Sequence, residues 1–284
     1  MGKIYLLGFV FILIFSACST PQYSPPSASN ARLNQAQKNI NQAIYREKNN
    51  LSNKEIEQKV KPIMSSLQPA VKILCGYVNE RKGCNTMWNL KFSDSGAYTA
   101  FASENNIVII DYEVAKISIF DDEIAFVLAH EISHHLLNHI NETKDSMLLT
   151  NIGNSILSYT LRKAVLDSAN DFCYSIKDCY KEAEKIEYGM IMADVISGEF
   201  SSALYYKFSR GQESEADLLA AYILSLSGYS LIRARESQVY LASQSGRRTS
   251  FLDSHPQGAD RLAAYDAVID EVLSNVNRLP RKQN

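Results

Sequence analysis

The run His130-Glu131-Ile132-Ser133-His134 constrains the fold of this chain more than any other feature. In an α-helix, residues i and i+4 lie one turn apart on the same face, so His130 and His134 can hold one metal ion between them. The apolar residues around them recur at helical spacing: Ile124, Val127, Leu128, Ile132 and Leu136. We therefore predict a long, largely buried helix that carries both histidines, with Asp121 as its N-cap residue.

The glutamate between the two histidines adds a chemical role to this helix. In the order His-Glu-x-x-His, the histidines bind zinc and the glutamate acts on a water molecule. Glu131 would take a proton from that water as it attacks a peptide carbonyl, and would pass the proton to the leaving amine. A protein that only binds its partner has no need of such a base.

A third metal ligand must come from another part of the chain, because a catalytic zinc site takes three protein ligands and keeps one position open. The best donor lies in the stretch 209–217, where Glu213 and Asp217 are one turn apart on one helix face. Glu213 would reach the metal, and Asp217 would hydrogen-bond a ligand histidine. Glu215 points away from that face. The alternative reading of the stretch is a solvated acidic helix face.

Two further histidines near the motif are not expected to bind the metal. His135 is turned by about 100° from His134 at 3.6 residues per turn. His139 lies five residues beyond His134, off the ligand face. We expect both to be structural or surface histidines.

The N-terminus has the features of an export signal. One lysine, an apolar run over residues 4–15 and small residues before Cys18 predict a signal peptide over residues 1–17, too short to span a bilayer. The stretch resembles a bacterial lipobox, in which Cys18 becomes the lipidated first residue, and Ser19 is similar to the residue that follows in outer-membrane lipoproteins. We expect residues 18–30 to form a flexible tether. The alternative is an ordinary secreted protein, with Cys18 free or lost with the signal.

The four other cysteines form two local pairs, Cys75 with Cys84 and Cys173 with Cys179. An exported chain meets an oxidising compartment, where disulfides form. Four cysteines permit three pairings, and the close spacing favours the two local ones. A zinc site made of these cysteines is disfavoured because neither pair has C-x-x-C spacing.

Charge and composition exclude one class of partner. The chain has 29 basic and 31 acidic residues, with no basic stripe that would bind nucleic acid. The chain has 46% hydrophobic residues, enough for residues 31–284 to bury one core as a single domain, with a small subdomain as the alternative.

The secondary-structure pattern indicates a mainly helical α+β fold with a small sheet beside the motif helix. Helices are predicted over 31–48, 53–64, 147–166, 182–196 and 218–226. The stretches 71–78, 88–92, 97–102 and 107–110 are β-like, and residues 104–106 form a turn between the last two.

Three separated motifs resemble those of the M48 family of zinc metallopeptidases and follow the same order along the chain. The chain is most similar in type to the periplasmic lipoproteins of that family. The three motifs are the run 130–134, the pattern Ser-Arg-x-x-Glu-x-x-Ala-Asp over 209–217, and His255-Pro256 followed by Arg261. The stretch 99–102 is similar to the family's N-A-F-A strand, with Thr99 in place of Asn. The resemblance covers about residues 70–270.

This resemblance implies a gluzincin-type peptidase domain that holds one Zn²⁺ per chain. It implies the following roles: His130, His134 and Glu213 as ligands, Glu131 as general base, and Asp217 as support for a ligand. His255 would lie near the zinc, where it either stabilises the transition state or blocks the metal until it is displaced, and Arg261 would support its loop. The alternative for His255 is a loop histidine held by Pro256.

We therefore expect a zinc endopeptidase of the bacterial cell envelope, anchored through Cys18 to the periplasmic face of the outer membrane. Its substrates would be misfolded or unassembled envelope proteins, bound as an added strand along residues 97–102. One alternative is an envelope chaperone or assembly lipoprotein with a latent or vestigial zinc site. A purely structural zinc site is disfavoured, because such sites usually have four protein ligands.

Overall fold

The computed structural model describes residues 22–23, 25–78, 87–96, 98–103, 105–143, 208–243, 258–275 and 279–282. The chain forms two compact units, one of residues 1–18 with 141–206 and one of residues 19–140 with 207–284. All the helices and strands described in the following paragraphs belong to the second unit. They confirm the mainly helical α+β class with a small sheet. The predicted helices over 147–166 and 182–196 lie outside the described residues.

Two helices precede the sheet. Helix α1 (Asn30–Asn41) begins after Ser29, whose side chain accepts a hydrogen bond from the Arg32 amide. Helix α2 (Asn53–Val78) is much longer than predicted, and the β-like reading of 71–78 is wrong. Its apolar residues Val71, Leu74 and Cys75 are buried at the i, i+3, i+4 spacing of a single helix face, so the stretch extends the amphipathic helix.

A three-stranded sheet follows, in the order β1 (Asn89–Ser93), β3 (Ile107–Asp111), β2 (Ala100–Ser103). Strand β3 pairs in parallel with β1 and antiparallel with β2, with Ala100 opposite Ile110. The predicted turn between β2 and β3 is confirmed, and Asn105 and Asn106 have positive φ angles of 59° and 57°. Asparagine tolerates this left-handed conformation better than most residues.

Two helices after β3 present the motif. The Asp111 side chain accepts a hydrogen bond from the Glu113 amide and caps the short helix α3 (Tyr112–Ile117). Helix α4 (Asp121–Leu136) carries the histidines and is buried along almost its whole length. Its N-cap residue is Phe120 rather than the predicted Asp121, so Asp121 supplies negative charge inside the first turn.

Three helices follow later in the chain: α5 (Arg210–Ser227), α6 (Leu231–Ser243) and α7 (Ala259–Ser274). Ser209 and Gln212 form a reciprocal capping box at the start of α5, and Gly228 ends α5 in the left-handed conformation with φ 82°. Helix α4 packs against α2, α5, α6 and strand β2, so the motif lies at the centre of the core.

Tyr23 lies within the stretch that the sequence predicts to be a flexible tether. Tyr23 is only 1% exposed and belongs to the main hydrophobic core, and its backbone forms an antiparallel bridge with Lys282. Tyr23 itself is therefore packed against the core, and the tether over the rest of 18–30 stays a prediction. Within the described residues, no helix is long and apolar enough to cross a membrane.

Candidate metal centre

The two motif histidines face each other across one turn of α4. Their Nε2 atoms lie 3.1 Å apart, and both side chains are buried. The spacing follows directly from the i, i+4 relation that the sequence predicts. Because the helix is packed on several sides, the rings are mounted on a rigid element.

Glu213 of α5 completes a three-atom cluster with these rings. Its Oε2 lies 3.4 Å from His130 Nε2, and its Oε1 lies 3.5 Å from His134 Nε2. Two atoms bound to one tetrahedral ion at about 2.0–2.1 Å lie about 3.3 Å apart, so the three separations fit a shared ion. Among the described residues, this is the only group of three with such spacing.

Asp217 and Arg261 hold the cluster from the side of His130. Asp217 Oδ1 lies 3.0 Å from His130 Nδ1, the contact that the sequence predicts. Arg261 donates through Nε and Nη2 to the two Asp217 oxygens at 2.7 and 2.8 Å, and its Nη1 lies 2.6 Å from Glu213 Oε2. One guanidinium therefore joins the carboxylate that orients His130 to the carboxylate that would bind the ion.

Arg261 lies beside the metal cluster, and its expected support of the loop of His255 stays a prediction. Helix α7 packs against α5, which brings Arg261 to Asp217 and Glu213. His255 lies outside the described residues, as do Cys18, Cys84, Cys173 and Cys179. Cys75 is disulfide-bonded, and its partner also lies outside them, so the pairing with Cys84 stays a prediction.

Burial and hydrogen bonding change the acidity of this cluster in opposite directions. Burial lowers the pKa of His130, but its hydrogen bonds to Asp217 and Glu213 outweigh burial and raise the pKa to about 9. Burial lowers the pKa of His134 well below its ordinary value. Burial raises the pKa of Asp217, but the charge of Arg261 more than offsets this and lowers it. A metal ion must displace the proton of His130, so binding is coupled to proton release.

Two residues outside the predicted site support His134. His139 Nδ1 lies 3.0 Å from His134 Nδ1, and His139 Nε2 lies 3.3 Å from Glu215 Oε2. His139 and Glu215 are both buried rather than at the surface. His139 comes back beside His134 because α4 ends at Leu136, and Asn138 follows with a φ of 64°. An asparagine two residues after the last apolar helix position could have indicated this left-handed break.

His135 has a structural role, as expected. Its Nε2 lies 3.2 Å from the carbonyl oxygen of Ile107, which ties α4 to β3. Burial lowers the pKa of His135 to about 4, so the ring is neutral at physiological pH. Within the part of the chain that the structure describes, it belongs to no metal-binding group.

An aromatic ring covers His134. The Phe208 ring stacks on the imidazole with centroids 3.8 Å apart and an interplanar angle of 16°. Phe208 precedes the capping box of α5, so the turn that delivers Glu213 also covers a ligand ring. This stack leaves the His134 ring little freedom to rotate.

The catalytic candidate Glu131 lies beside a ligand on α4 and is fully buried. Burial lowers the pKa of Arg261, but the charges of Asp217 and Glu213, with a smaller contribution from Glu131, raise it above its ordinary value. The predicted peptide-binding strand is also buried in this conformation, with Ala100 and Ala102 at most 2% exposed.

Comparison with known families agrees with this geometry. A model described as peptidase family M48 matches residues 57–269, which is most of the 284-residue chain. The matched range contains the two motif histidines, Glu213 and Arg261. A comparison with curated proteins found no matching relative.

Proposed function

Since the chain belongs to peptidase family M48, a family of metal-dependent proteases, we propose that it is a zinc endopeptidase of the bacterial cell envelope. The observation that carries this proposal is the convergence of His130 Nε2, His134 Nε2 and the Glu213 carboxylate within 4.8 Å of one another. Two imidazole nitrogens and one carboxylate are a donor set of catalytic zinc sites, which keep a fourth position open.

The chain's own residues supply the remaining chemistry. Bound there, zinc would acidify a water molecule and polarise the scissile carbonyl. Glu131 accepts the proton of the attacking water and delivers it to the leaving amine. Asp217 keeps His130 in the tautomer that presents Nε2 to the ion, since its carboxylate accepts the Nδ1 proton. Arg261 keeps Glu213 directed at the same point.

We assign the substrates to the class of extended or unfolded polypeptides. Backbone pairing along β2 accepts many sequences, because its specificity resides only in the side-chain pockets. Misfolded and unassembled envelope proteins expose such segments. Cleavage at β2 requires the strand to be uncovered, because Ala100, Phe101 and Ala102 are buried in the present conformation.

Cys18 supplies the location in this proposal. A lipid at Cys18 would hold the folded unit at the periplasmic face of the outer membrane. Expression of the full chain and of Cys18→Ala, followed by membrane fractionation and mass spectrometry of the N-terminus, tests this step. A protein that is soluble with or without the substitution would contradict the anchor.

The decisive experiment compares the wild-type protein with Glu131→Gln. We expect both proteins to contain one equivalent of zinc by metal analysis, and only the wild type to cleave an unfolded protein. A fall of about 10²-fold or more in kcat is expected, because the lost group is the general base. If Glu131→Gln cleaves at the wild-type rate, the peptidase proposal fails. If neither protein cleaves but both prevent aggregation, the chaperone alternative is favoured.

A further inference from the structure

We propose that the segment around Tyr23 is a positioning element of the metal centre, which acts on the ligand His134 through Glu215 and His139. This inference rests on the proposed metal-binding function and adds a support that runs from the N-terminal segment into the site. The three residues act through a metal ligand, so their role is to orient it.

The contacts form a continuous chain of hydrogen bonds. The Tyr23 backbone N–H donates to Glu215 Oε1 at 2.7 Å. The other oxygen, Glu215 Oε2, lies 3.3 Å from His139 Nε2, and His139 Nδ1 lies 3.0 Å from His134 Nδ1. All four residues are at most 2% exposed, so water does not compete for these bonds.

Metal binding determines the direction of every bond in this chain. If His134 binds the ion through Nε2, its proton resides on Nδ1 and is donated to His139 Nδ1. His139 must then carry its own proton on Nε2, which it donates to Glu215. The carboxylate thus accepts from His139 on one oxygen and from the Tyr23 N–H on the other. Asp217 orients the other ligand, His130, by accepting the proton of its Nδ1 directly.

Several contacts outside the metal centre hold Tyr23 in place. Its backbone pairs with Lys282 in an antiparallel bridge. Its ring lies 6.4 Å from the ring of Tyr77, over which the Lys282 ammonium stands at 5.2 Å. The N-terminal and C-terminal segments therefore meet on α2, and the position of the Tyr23 N–H depends on both of them.

The same segment lies close to the proposed anchor. Tyr23 follows Cys18 by five residues, which span at most about 18 Å when fully extended. The lipid attachment and the support of the metal centre therefore share one short stretch of chain. A longer spacer before Tyr23 would move the anchor without disturbing the Tyr23 N–H.

The first test replaces Glu215 by the isosteric Gln in the full chain. A glutamine must direct its NH₂ group at either His139 or Tyr23, so one N–H donor loses its acceptor. We expect Glu215→Gln to weaken Zn²⁺ binding about 10- to 100-fold in a chelator competition. The Co²⁺-substituted protein should show altered visible absorption bands, because the ligand ring is reoriented. The matched control, Glu123→Gln, changes a buried carboxylate that pairs with Arg46 and should leave both readouts unchanged.

The second test isolates the Tyr23 N–H. Tyr23→Pro removes this donor, while Tyr23→Ala keeps it and removes only the ring. We expect Tyr23→Pro to bind Zn²⁺ about 10-fold more weakly than Tyr23→Ala. We also expect Tyr23→Pro to lower the Zn²⁺ affinity less in the Glu215→Gln background than in the wild type. In the double variant, the glutamine NH₂ group can face the position that the Tyr23 N–H has left. A Gly-Ser spacer inserted after Thr20 should leave zinc affinity unchanged.

Two outcomes would overturn the proposal. One is that Glu215→Gln binds Zn²⁺ as tightly as Glu123→Gln, with the same Co²⁺ spectrum. The other is that Tyr23→Pro binds as tightly as Tyr23→Ala. If Tyr23→Pro does not fold, deletion of residues 19–29 removes the donor without proline strain, and unchanged zinc affinity would then be decisive. Metal affinity is measured without substrate, so this proposal and the peptidase proposal can fail independently.

Discussion

Arg261 binds both oxygens of Asp217, with Nε 2.7 Å from Oδ2 and Nη2 2.8 Å from Oδ1. The same guanidinium contacts Glu213, so one buried cation balances two buried carboxylates. A buried charge that loses its partner is far more costly than the intact pair is stabilising. The arginine is therefore central to the stability of the metal-free site.

Replacement of Arg261 by Gln should reduce the free energy of unfolding of the metal-free protein by about 3–5 kcal/mol. Zinc should recover part of this loss, because the ion neutralises Glu213. Urea unfolding with and without Zn²⁺ measures both effects. The matched control is Arg235→Gln, which breaks a similar two-point pair with Asp266 away from the metal ligands. Equal zinc affinity in the two variants would contradict the assigned role of Arg261.

Asp217→Asn should weaken zinc binding about 10- to 100-fold, because the amide is a poorer acceptor for His130 Nδ1 and lowers the basicity of the ring. Chelator competition measures the effect. Asp270→Asn is a suitable control, since Asp270 forms a largely exposed pair with Arg32. Unchanged affinity in Asp217→Asn would show that His130 does not depend on this carboxylate for its orientation.

Removal of the metal should lower the melting temperature of the protein. A ligand that binds only the folded state contributes about 4 kcal/mol at a thousand times its Kd. Thermal unfolding with a chelator, and then with added Zn²⁺, checks this expectation. In His134→Asn the two melting curves should nearly coincide, because one of the three ligands is missing. A wild-type melting temperature that is the same with and without the chelator would argue against a bound ion.

The free energy of unfolding should decrease as the pH falls below about 4.5, and part of this decrease should come from Glu113, which lies away from the metal centre. Burial raises the pKa of Glu113, but Lys48 and Lys116 outweigh burial and lower it below the ordinary value of 4.5. A carboxyl group with a lowered pKa contributes stability that is complete above about pH 4.5 and is lost as pH falls through the folded-state value.

We therefore expect Glu113→Gln to cost about 1 kcal/mol near neutral pH and less below pH 4. Urea unfolding across this range measures the difference. Glu236→Gln changes a more exposed glutamate and should leave the pH profile as in the wild type. A Glu113→Gln effect that stays constant from pH 7 to pH 3 would disprove the role of its ionisation.

Much of the fold and part of the site follow from local patterns. The strands over 89–93, 100–103 and 107–111 were predicted to within a few residues because alternation and turn residues act over short distances. The continuation of α2 through 71–78 was missed, since apolar β-branched residues are compatible with both a strand and a buried helix face. Only its packing beneath α4 and α5 decides between the two.

For the metal centre, the sequence by itself determined that His130 and His134 share one helix face, because the i, i+4 spacing fixes this. Glu213 was a candidate third ligand on spacing, and the resemblance of the stretch 209–217 to the M48 pattern implied its role. The tertiary structure alone decided what supports these residues. The chain reverses at Asn138 and brings His139 back to His134, and the packing of α7 on α5 directs Arg261 at Glu213. These contacts depend on a left-handed residue and on helix packing, neither of which is encoded in the period of a helix.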